Sequence, residues 1–301
     1  MKLKNKQNEI ILLIDSANIA YSALYTTGHL SNQNKQTGII YGFLKQILSL
    51  AKRFKTNQFI FCWDAGVTYR HFAYPEYKKQ RQKSREADPE KMAAHKSLIK
   101  QNHQLIHFIL PNLGFKNVCL QQYFEADDLL AYWTKKLKSK KIIMVTSDND
   151  MYQCLNNCDI WLPQKKELFT KELFTKKYKI KVSKWALAKA IGGCSGDNVK
   201  GIQGVSDPKN PASKALVYLQ GKLKDGKIKS RINSIAGQEL IKLNLPLVTT
   251  PYRKDKLKRM FFRKNKFNRK TFFKIFDTYR FDSFLTKDGI KKWENAFIDK
   301  E

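Results

Sequence analysis

The first apolar stretch of this 301-residue sequence stops after five residues, at Asp15, and it follows a polar, basic start over residues 1–9. Such a stretch is too short for a signal peptide and far too short for a membrane span. Cysteine is sparse: Cys62, Cys119, Cys154, Cys158 and Cys194 are odd in number and scattered, and only Cys154 and Cys158 lie close together. With no second Cys or His pair to complete a zinc set and no disulfide framework, reduced thiols in a cytoplasmic compartment are expected. Internal repeats are missing, apart from the brief echo Glu167-Leu168-Phe169-Thr170-Lys171 and Glu172-Leu173-Phe174-Thr175-Lys176. The most telling shortage is of negative charge, with 26 Asp+Glu against 57 Lys+Arg and a formal charge of +31. Such a chain repels itself unless a polyanion or its counterions lie nearby, and nucleic acid is the natural partner. The bases are interleaved with Phe and Tyr rather than gathered in a tail, so a disordered basic arm is excluded.

What is present suffices for a folded body. A hydrophobic content of 42% builds a proper core, and the length gives room for one large domain or two unequal ones. Three short apolar runs share a design. Ile10-Ile11-Leu12-Leu13-Ile14 ends at Asp15, Phe59-Ile60-Phe61-Cys62-Trp63 at Asp64, and Ile142-Ile143-Met144-Val145-Thr146-Ser147 at Asp148. Continuous apolar runs separated by helical stretches predict parallel strands covered on both faces. In such sheets functional groups collect beyond the carboxyl ends of the strands, where the three aspartates would meet.

Between these runs, residues 38–54 and 98–110 carry apolar side chains at helical spacing, and Asp88-Pro89-Glu90 is a helix start. Residues 66–85 lack a clean apolar face. They carry Arg70, Lys78, Lys79, Arg81, Lys83 and Arg85 among Tyr69, Phe72, Tyr74 and Tyr77, which predicts a loop or short helix over the strand ends. From about Val182 the sequence predicts a helix through Lys189, a glycine-rich turn over residues 192–204 and another helix near 212–219. Beyond Pro251 it is basic and aromatic. That last stretch is a solvated helix, a partner-protein surface or a nucleic-acid surface, and the last fits best. Trp63, beside Asp64, is expected in the core rather than stacked on a base.

The acids are concentrated. In Phe124-Glu125-Ala126-Asp127-Asp128, three carboxylates in four positions open a helix, with Glu125 and Asp128 on one face. The helix dipole accounts for one or two of them but not all three. Asp148 and Asp150 would point the same way from an extended backbone, although an ordinary polar turn explains that pair equally well. Together, Asp15, Asp64, Glu125, Asp127, Asp128, Asp148 and Asp150 concentrate negative charge that only cations would neutralise. Hard oxygen ligands suit Mg²⁺ or Mn²⁺, and two such ions about 4 Å apart activate water and stabilise the leaving oxygen of a phosphodiester. The histidines His71, His95, His103 and His107 are not needed for that chemistry.

At this point the sequence resembles the 5′-nuclease family, which includes flap endonucleases, bacteriophage 5′ nucleases and the 5′-3′ exonuclease domain of bacterial DNA polymerase I. The resemblance runs over residues 10–252. It is carried in family order by Leu13-Ile14-Asp15, by Arg70 with Pro75-Glu76-Tyr77-Lys78 and Arg81, by Glu125-Ala126-Asp127-Asp128, by Ser147-Asp148-Asn149-Asp150, and by residues 196–205. It implies an α/β fold: a mostly parallel central sheet flanked by helices, a PIN-like nuclease core, followed by a helical subdomain with a helix-three-turn-helix motif. The implied division is a nuclease core over residues 1–181, with a basic arch or loop at about 66–100, and a duplex-binding subdomain over residues 182–301. By position, the seven acids above and Asp197 match metal-binding acids. Arg70, Lys78 and Arg81 match arch residues that engage the scissile phosphate, and Tyr77 would stack on or steer a base. Gly196, Asn198, Lys200, Gly201 and Gly204 match the turn that holds a duplex backbone, often with a K⁺ ion.

Two departures stand out. Cys194 occupies a position usually held by an acid, which implies a weakened or differently built metal site, and residues 206–211 lengthen the glycine turn. The expected activity is divalent-metal hydrolysis, with two ions, of DNA or RNA–DNA near 5′ ends, flaps and junctions. The expected setting is primer or flap removal in replication, by a monomer that meets replication proteins in bacterial or phage-infected cytoplasm. A catalytically impaired nucleic-acid-binding relative and a PIN-type ribonuclease are the alternatives. The glycine-rich turn argues against the latter, because cutting single-stranded RNA needs no duplex anchor.

Overall fold

The computed structural model describes residues 9–33 and 35–298; the basic start lies outside the described residues up to position 8. Six strands form the main sheet: β1 Ile10–Asp15, β2 Phe59–Cys62, β3 Val118–Cys119, β4 Lys141–Val145, β5 Asp159–Leu162 and β6 Glu167–Phe169. Their spatial order is β3-β2-β1-β4-β5-β6. All neighbours pair in parallel except β5 and β6. The strand order reverses between β1 and β4, so a crevice opens there beyond the carboxyl ends, where open α/β sheets place their ligands.

Alternation along the strands divides the core. Leu12, Ile14, Phe59, Phe61, Ile143 and Val145 face one layer, while Ile11, Leu13, Ile60, Ile142 and Met144 face the other. The first layer contains helices α1 Ser16–Thr27, α2 Gly38–Phe54 and α3 Pro89–Gln104. The second is built on α4 Ala126–Lys136 and α5 Trp185–Gly192. A third apolar cluster, with Ala190, Ile191, Val199, Ile202, Ile232 and Ile241, joins α5 to α6 Ile235–Val248. Trp63 is 2% exposed and stacks on Phe43, in the core as expected.

The sequence reading needs three adjustments. The helix over residues 98–110 is not continuous: α3 passes into a π-helical turn, Leu105–Ile109. Pro111 has no N–H for the His107 carbonyl and its ring crowds that carbonyl, so the α pattern cannot be kept. Asp148 and Asp150 do not share one extended segment: Asp148 is extended, but Asp150 lies in the first turn of a 3-10 helix. Asp148 caps that helix, Asn149–Cys154, through Oδ1 and the Asp150 N–H at 2.8 Å. Packing also runs across the boundary expected at 181/182, since Ile180 and Val182 are buried in the same cluster.

The C-terminal stretch beyond Pro251 first crosses the β3 edge, where the Asn117 and Gln121 side chains bond its backbone at Arg263 and Lys258. Helices α7 Arg269–Thr278 and α8 Lys287–Phe297 then return to the first layer, burying Phe272, Phe276, Trp293 and Phe297 against α2 and the sheet. By packing, these helices belong with the sheet and not with the helical unit expected from residue 182. No helix among the described residues is long and apolar enough to cross a membrane.

Candidate active site at the strand ends

Asp15 ends β1 and caps α1. Its Oδ1 accepts from the Asn18 N–H at 3.0 Å and its Oδ2 from the Thr146 hydroxyl at 2.7 Å. The same Thr146 oxygen accepts the Asp148 N–H at 3.0 Å, so one buried threonine ties the ends of β1 and β4 together. Asp64, exposed just beyond β2, accepts the Ala126 N–H at 2.8 Å. That bond holds the N-terminus of α4 over the strand ends, where its dipole favours acids. Asp127 projects from the first turn of α4, and among the described residues no group donates a hydrogen bond to it. Burial, then Asp148, Asp15 and Glu125, push its carboxyl well above the usual range. Burial and the nearby Asp64 raise Asp15 to about 7. No ion pair among the described residues involves Asp15, Asp64, Asp127 or Asp148.

This donor set fits a divalent cation. Four carboxylates stand at neighbouring strand and helix ends with no ion-pair partner among the described residues, and at Asp15 and Asp127 a hard cation would favour the ionised form that burial and repulsion now oppose. Asp15, Asp64, Asp127 and Asp148, with Glu125 beside them, are the residues that would hold it.

Asp128 is different. Its Oδ1 accepts from Arg70 Nη2 at 2.9 Å and the Tyr252 N–H at 2.7 Å, and its Oδ2 from Arg70 Nη1 at 2.8 Å and the Glu125 N–H at 3.2 Å. At 1% exposure it has no oxygen left for a metal, and its role is to cap α4 and hold Arg70. Arg70 is likewise corrected. It is 2% exposed, and it also reaches Glu125 at 2.8 Å and the carbonyls of Leu247 and Thr249 at 2.8 and 3.1 Å. A guanidinium so enclosed braces the site and does not meet a phosphate.

Tyr77 is corrected for the same reason. It is 3% exposed, and its hydroxyl donates to Glu125 Oε2 at 3.0 Å, so its ring has no open face for a base. Lys78 and Arg81 stay at the opening. Lys78 sits in the left-handed region at φ 55°, reaches Glu125 Oε1 at 2.6 Å and is half-buried. Burial would raise the Glu125 carboxyl, but Lys78 and Arg70 outweigh it and hold the group low. Arg81 is exposed, donating to the Gly196 carbonyl at 2.7 Å and to Asp197 Oδ1 at 2.8 Å.

The glycine-rich turn forms a second acidic group. Cys194 and Val199 exchange backbone hydrogen bonds at 2.9 and 3.0 Å. Asp150, Cys194 and Asp197 thereby gather with ligand atoms within 4.8 Å of one another. A methyl group on Gly201 would come within 2.3 Å of the Gly192 backbone, so that glycine answers to close chain packing. Gly196, Lys200 and Gly204 are exposed, Gly204 with φ +84°. Asn198, at φ 60°, donates from Nδ2 to the Glu76 carbonyl at 2.9 Å, and the Asp197 carbonyl accepts the Lys78 N–H at 3.0 Å. The turn therefore grips the base of the segment that carries Lys78 and Arg81.

Sequence reasoning missed Thr146 and Lys189. Lys189 is 2% exposed, with Nζ 2.7 Å from Asp150 Oδ1, 3.0 Å from Asn149 Oδ1 and 3.2 Å from Asp207 Oδ1. The available signal was a lone lysine in the apolar segment Trp185-Ala186-Leu187-Ala188-Lys189-Ala190-Ile191. A buried lysine requires such partners.

Comparison with known proteins shows the family and the fold. Residues 10–179 match the 5′-3′ exonuclease, N-terminal resolvase-like domain family. A 5′-3′ exonuclease of Aquifex aeolicus is 32% identical over 200 residues, 65% of this chain and 65% of that protein. The thermostable DNA polymerase I of Thermus thermophilus is 28% identical over 201 residues, 65% of this chain and 23% of the polymerase. The chain thus spans less than two thirds of the length of these relatives. Among solved structures, bacteriophage T5 5′-exonuclease with bound zinc superposes with TM-score 0.66 at 20% identity, covering 80% of this chain and 89% of that one. The T5 flap endonuclease with DNA and metal ions gives 0.63 at 20% identity over the same shares. Both show the shared fold.

Proposed function

This chain belongs to the 5′-3′ exonuclease family, whose N-terminal resolvase-like domain it carries over residues 10–179, and on that premise we propose that it is a structure-selective 5′ nuclease. It hydrolyses phosphodiester bonds of DNA or RNA–DNA near 5′ ends, flaps and junctions, with a divalent cation, Mg²⁺ or Mn²⁺, at the strand ends. The observation that carries this reading is that Asp15, Asp64, Asp127 and Asp148 stand beyond the strand ends at the strand-order reversal with no paired cation among the described residues. When bound, the metal supplies a water of lowered pKa and stabilises charge on the phosphate. Thr146 and Asn18 orient Asp15, and Ala126 orients Asp64. Arg70 and Asp128 fix the α4 terminus that presents Asp127. Lys78 and Arg81 at the opening lend positive charge to the scissile phosphate in the transition state.

The turn over residues 192–204 offers exposed Gly196, Lys200 and Gly204 to a duplex backbone, with K⁺ as a further ligand there, and the helical layer from about residue 182 forms the duplex-binding unit. A bacteriophage T5 flap endonuclease of the same fold has been solved with DNA and metal ions, which favours nucleic acid and metal as ligands here. Primer or flap removal in replication, as a monomer in bacterial or phage-infected cytoplasm, is the role that follows. A labelled 5′-flap duplex incubated with the protein and Mg²⁺ is expected to lose its flap near the junction, and chelation is expected to stop the reaction. Intact binding without cleavage would favour a non-cleaving relative, a reading motivated by Cys194. Cleavage confined to single-stranded RNA would favour a ribonuclease.

A further inference from the structure

The two acidic groups of the cleft differ in their charge balance. At the strand ends, Asp15, Asp64, Asp127 and Asp148 have no paired cation among the described residues. At the turn, every carboxylate is already paired. Asp150 lies 2.7 Å from Lys189 Nζ, and Asp207 3.2 Å from the same nitrogen. Asp197 lies 2.8 Å from Arg81 and 3.9 Å from Lys78. Each of the three carboxylates thus has a cationic side chain within ion-pair distance, Lys78 being shared with Glu125.

The remaining member, Cys194, is a poor ligand for a hard cation. Its sulfur lies 3.8 Å from Asp150 Oδ2 and 3.6 Å from Asp197 Oδ2. Thiols prefer softer metals than Mg²⁺. Lys189 is not a surface lysine that has swung in. It projects from the middle of α5 with its side chain 3% exposed, and Asn149 completes its hydrogen bonding at 3.0 Å. A divalent ion entering between Asp150 and Asp197 would meet an ammonium that has nowhere else to go.

We propose that the ammonium of Lys189 is the built-in cation of this second group, so that the chain loads one divalent ion, at the strand ends, instead of two. The inference rests on the metal-dependent reading above but is tested separately, by counting ions. Lys189 is a positioning residue in this scheme: it fixes Asp150 and the 3-10 turn that carries it, and it supplies charge without exchanging with solvent. The stoichiometry expected from the resemblance alone is thereby revised.

The test is Mn²⁺ titration of the full chain, metal-stripped and without substrate, followed by electron paramagnetic resonance and calorimetry. One ion is expected in the wild-type chain and one in Cys194→Asp, because restoring an acid leaves the ammonium in place. Two are expected in the double variant Lys189→Met with Cys194→Asp. Two ions of similar affinity in the wild-type chain would overturn the proposal without need of any variant. So would a second ion in Cys194→Asp alone, or a double variant that keeps its circular dichroism spectrum and still binds one. Cd²⁺ provides an independent arm. A thiolate-to-cadmium absorption band that is present in the wild-type chain and lost in Cys194→Asp would identify a soft-metal site at Cys194 and overturn the proposal; a spectrum unchanged by that substitution supports it. Failure of the wild-type chain to bind any Mn²⁺ would remove the metal-dependent reading along with this one.

Discussion

Replacing Arg70 with methionine should destabilise the fold much more than an ordinary surface change, and the structure supplies the magnitude. The guanidinium makes three contacts with Glu125 and Asp128 at 2.8, 2.8 and 2.9 Å and two with the Leu247 and Thr249 carbonyls, all away from water. In Arg70→Met, Glu125 still has Lys78 and Tyr77, but Asp128 keeps only backbone N–H donors. Stripping one partner from a buried ion pair costs about 3–5 kcal/mol. For a chain of this size that corresponds to a fall of roughly 6–10 °C in melting temperature. Removing the stranded charge should recover part of the loss, so Asp128→Asn should cost less in the Arg70→Met background than in the wild type. The assay is thermal unfolding of the four proteins of this cycle, with flap cleavage measured well below the melting range. If Arg70→Met melted within about 1 °C of wild type while cleavage collapsed, Arg70 would be a substrate contact after all and the bracing role would be refuted.

Tyr77→Phe removes one buried hydrogen bond and should cost about 1–2 kcal/mol while leaving flap affinity within twofold, as read by melting and fluorescence anisotropy; weaker binding with unchanged melting would return Tyr77 to the substrate. Asp148→Ala should lower cleavage by about 100-fold or more while retaining most binding, given the several kcal/mol that metal-held charge contributes; unchanged turnover would remove Asp148 from the site. Burial raises Asp15 and Asp150 to about 7 from an ordinary 3.8, so between about pH 4 and 7 the folded chain holds more protons than the unfolded one. Metal-free stability should therefore fall as pH rises through that window, by at most about 4 kcal/mol per carboxyl, with the loss complete above it. A flat melting profile in chelator from pH 5.5 to 8 would contradict the raised values, and added Mn²⁺ at pH 8 should restore stability.

The strands that position the chemistry were legible because each is an unbroken apolar run ending in an acid: Ile10-Ile11-Leu12-Leu13-Ile14-Asp15 needs no tertiary information to be read. Helix α2 matches the 38–54 span, since its apolar side chains keep helical spacing throughout. Strands β3 and β6, of two and three residues, carry no pattern long enough to show a period, and only their neighbours in the sheet define them. In the site, motif order singles out the acids but does not say how each is held. Asp127 and Asp128 are adjacent in sequence, yet one faces the cleft while the other is consumed by Arg70, a difference set by rotation around the first turn of α4. The same limit placed Arg70 and Tyr77 on the substrate, because basic and aromatic side chains in a motif carry no mark of burial. Lys189 was invisible for the opposite reason: its partners Asn149 and Asp207 come from separate loops.

The return of α7 and α8 to the first layer affects how the chain must be made. A ribosome releases β1, β2 and α2 early, but the aromatic side chains that cover their outer face arrive only with Phe272, Phe276, Trp293 and Phe297. Until then the layer of α1, α2 and α3 lacks its last cover, and Phe59 and Phe115 lack the Phe297 ring that finally packs on them. A fragment cut after residue 252 would keep every acid of the cleft and lose that cover. The acids of the cleft are therefore all synthesised before the aromatic side chains that complete the first layer.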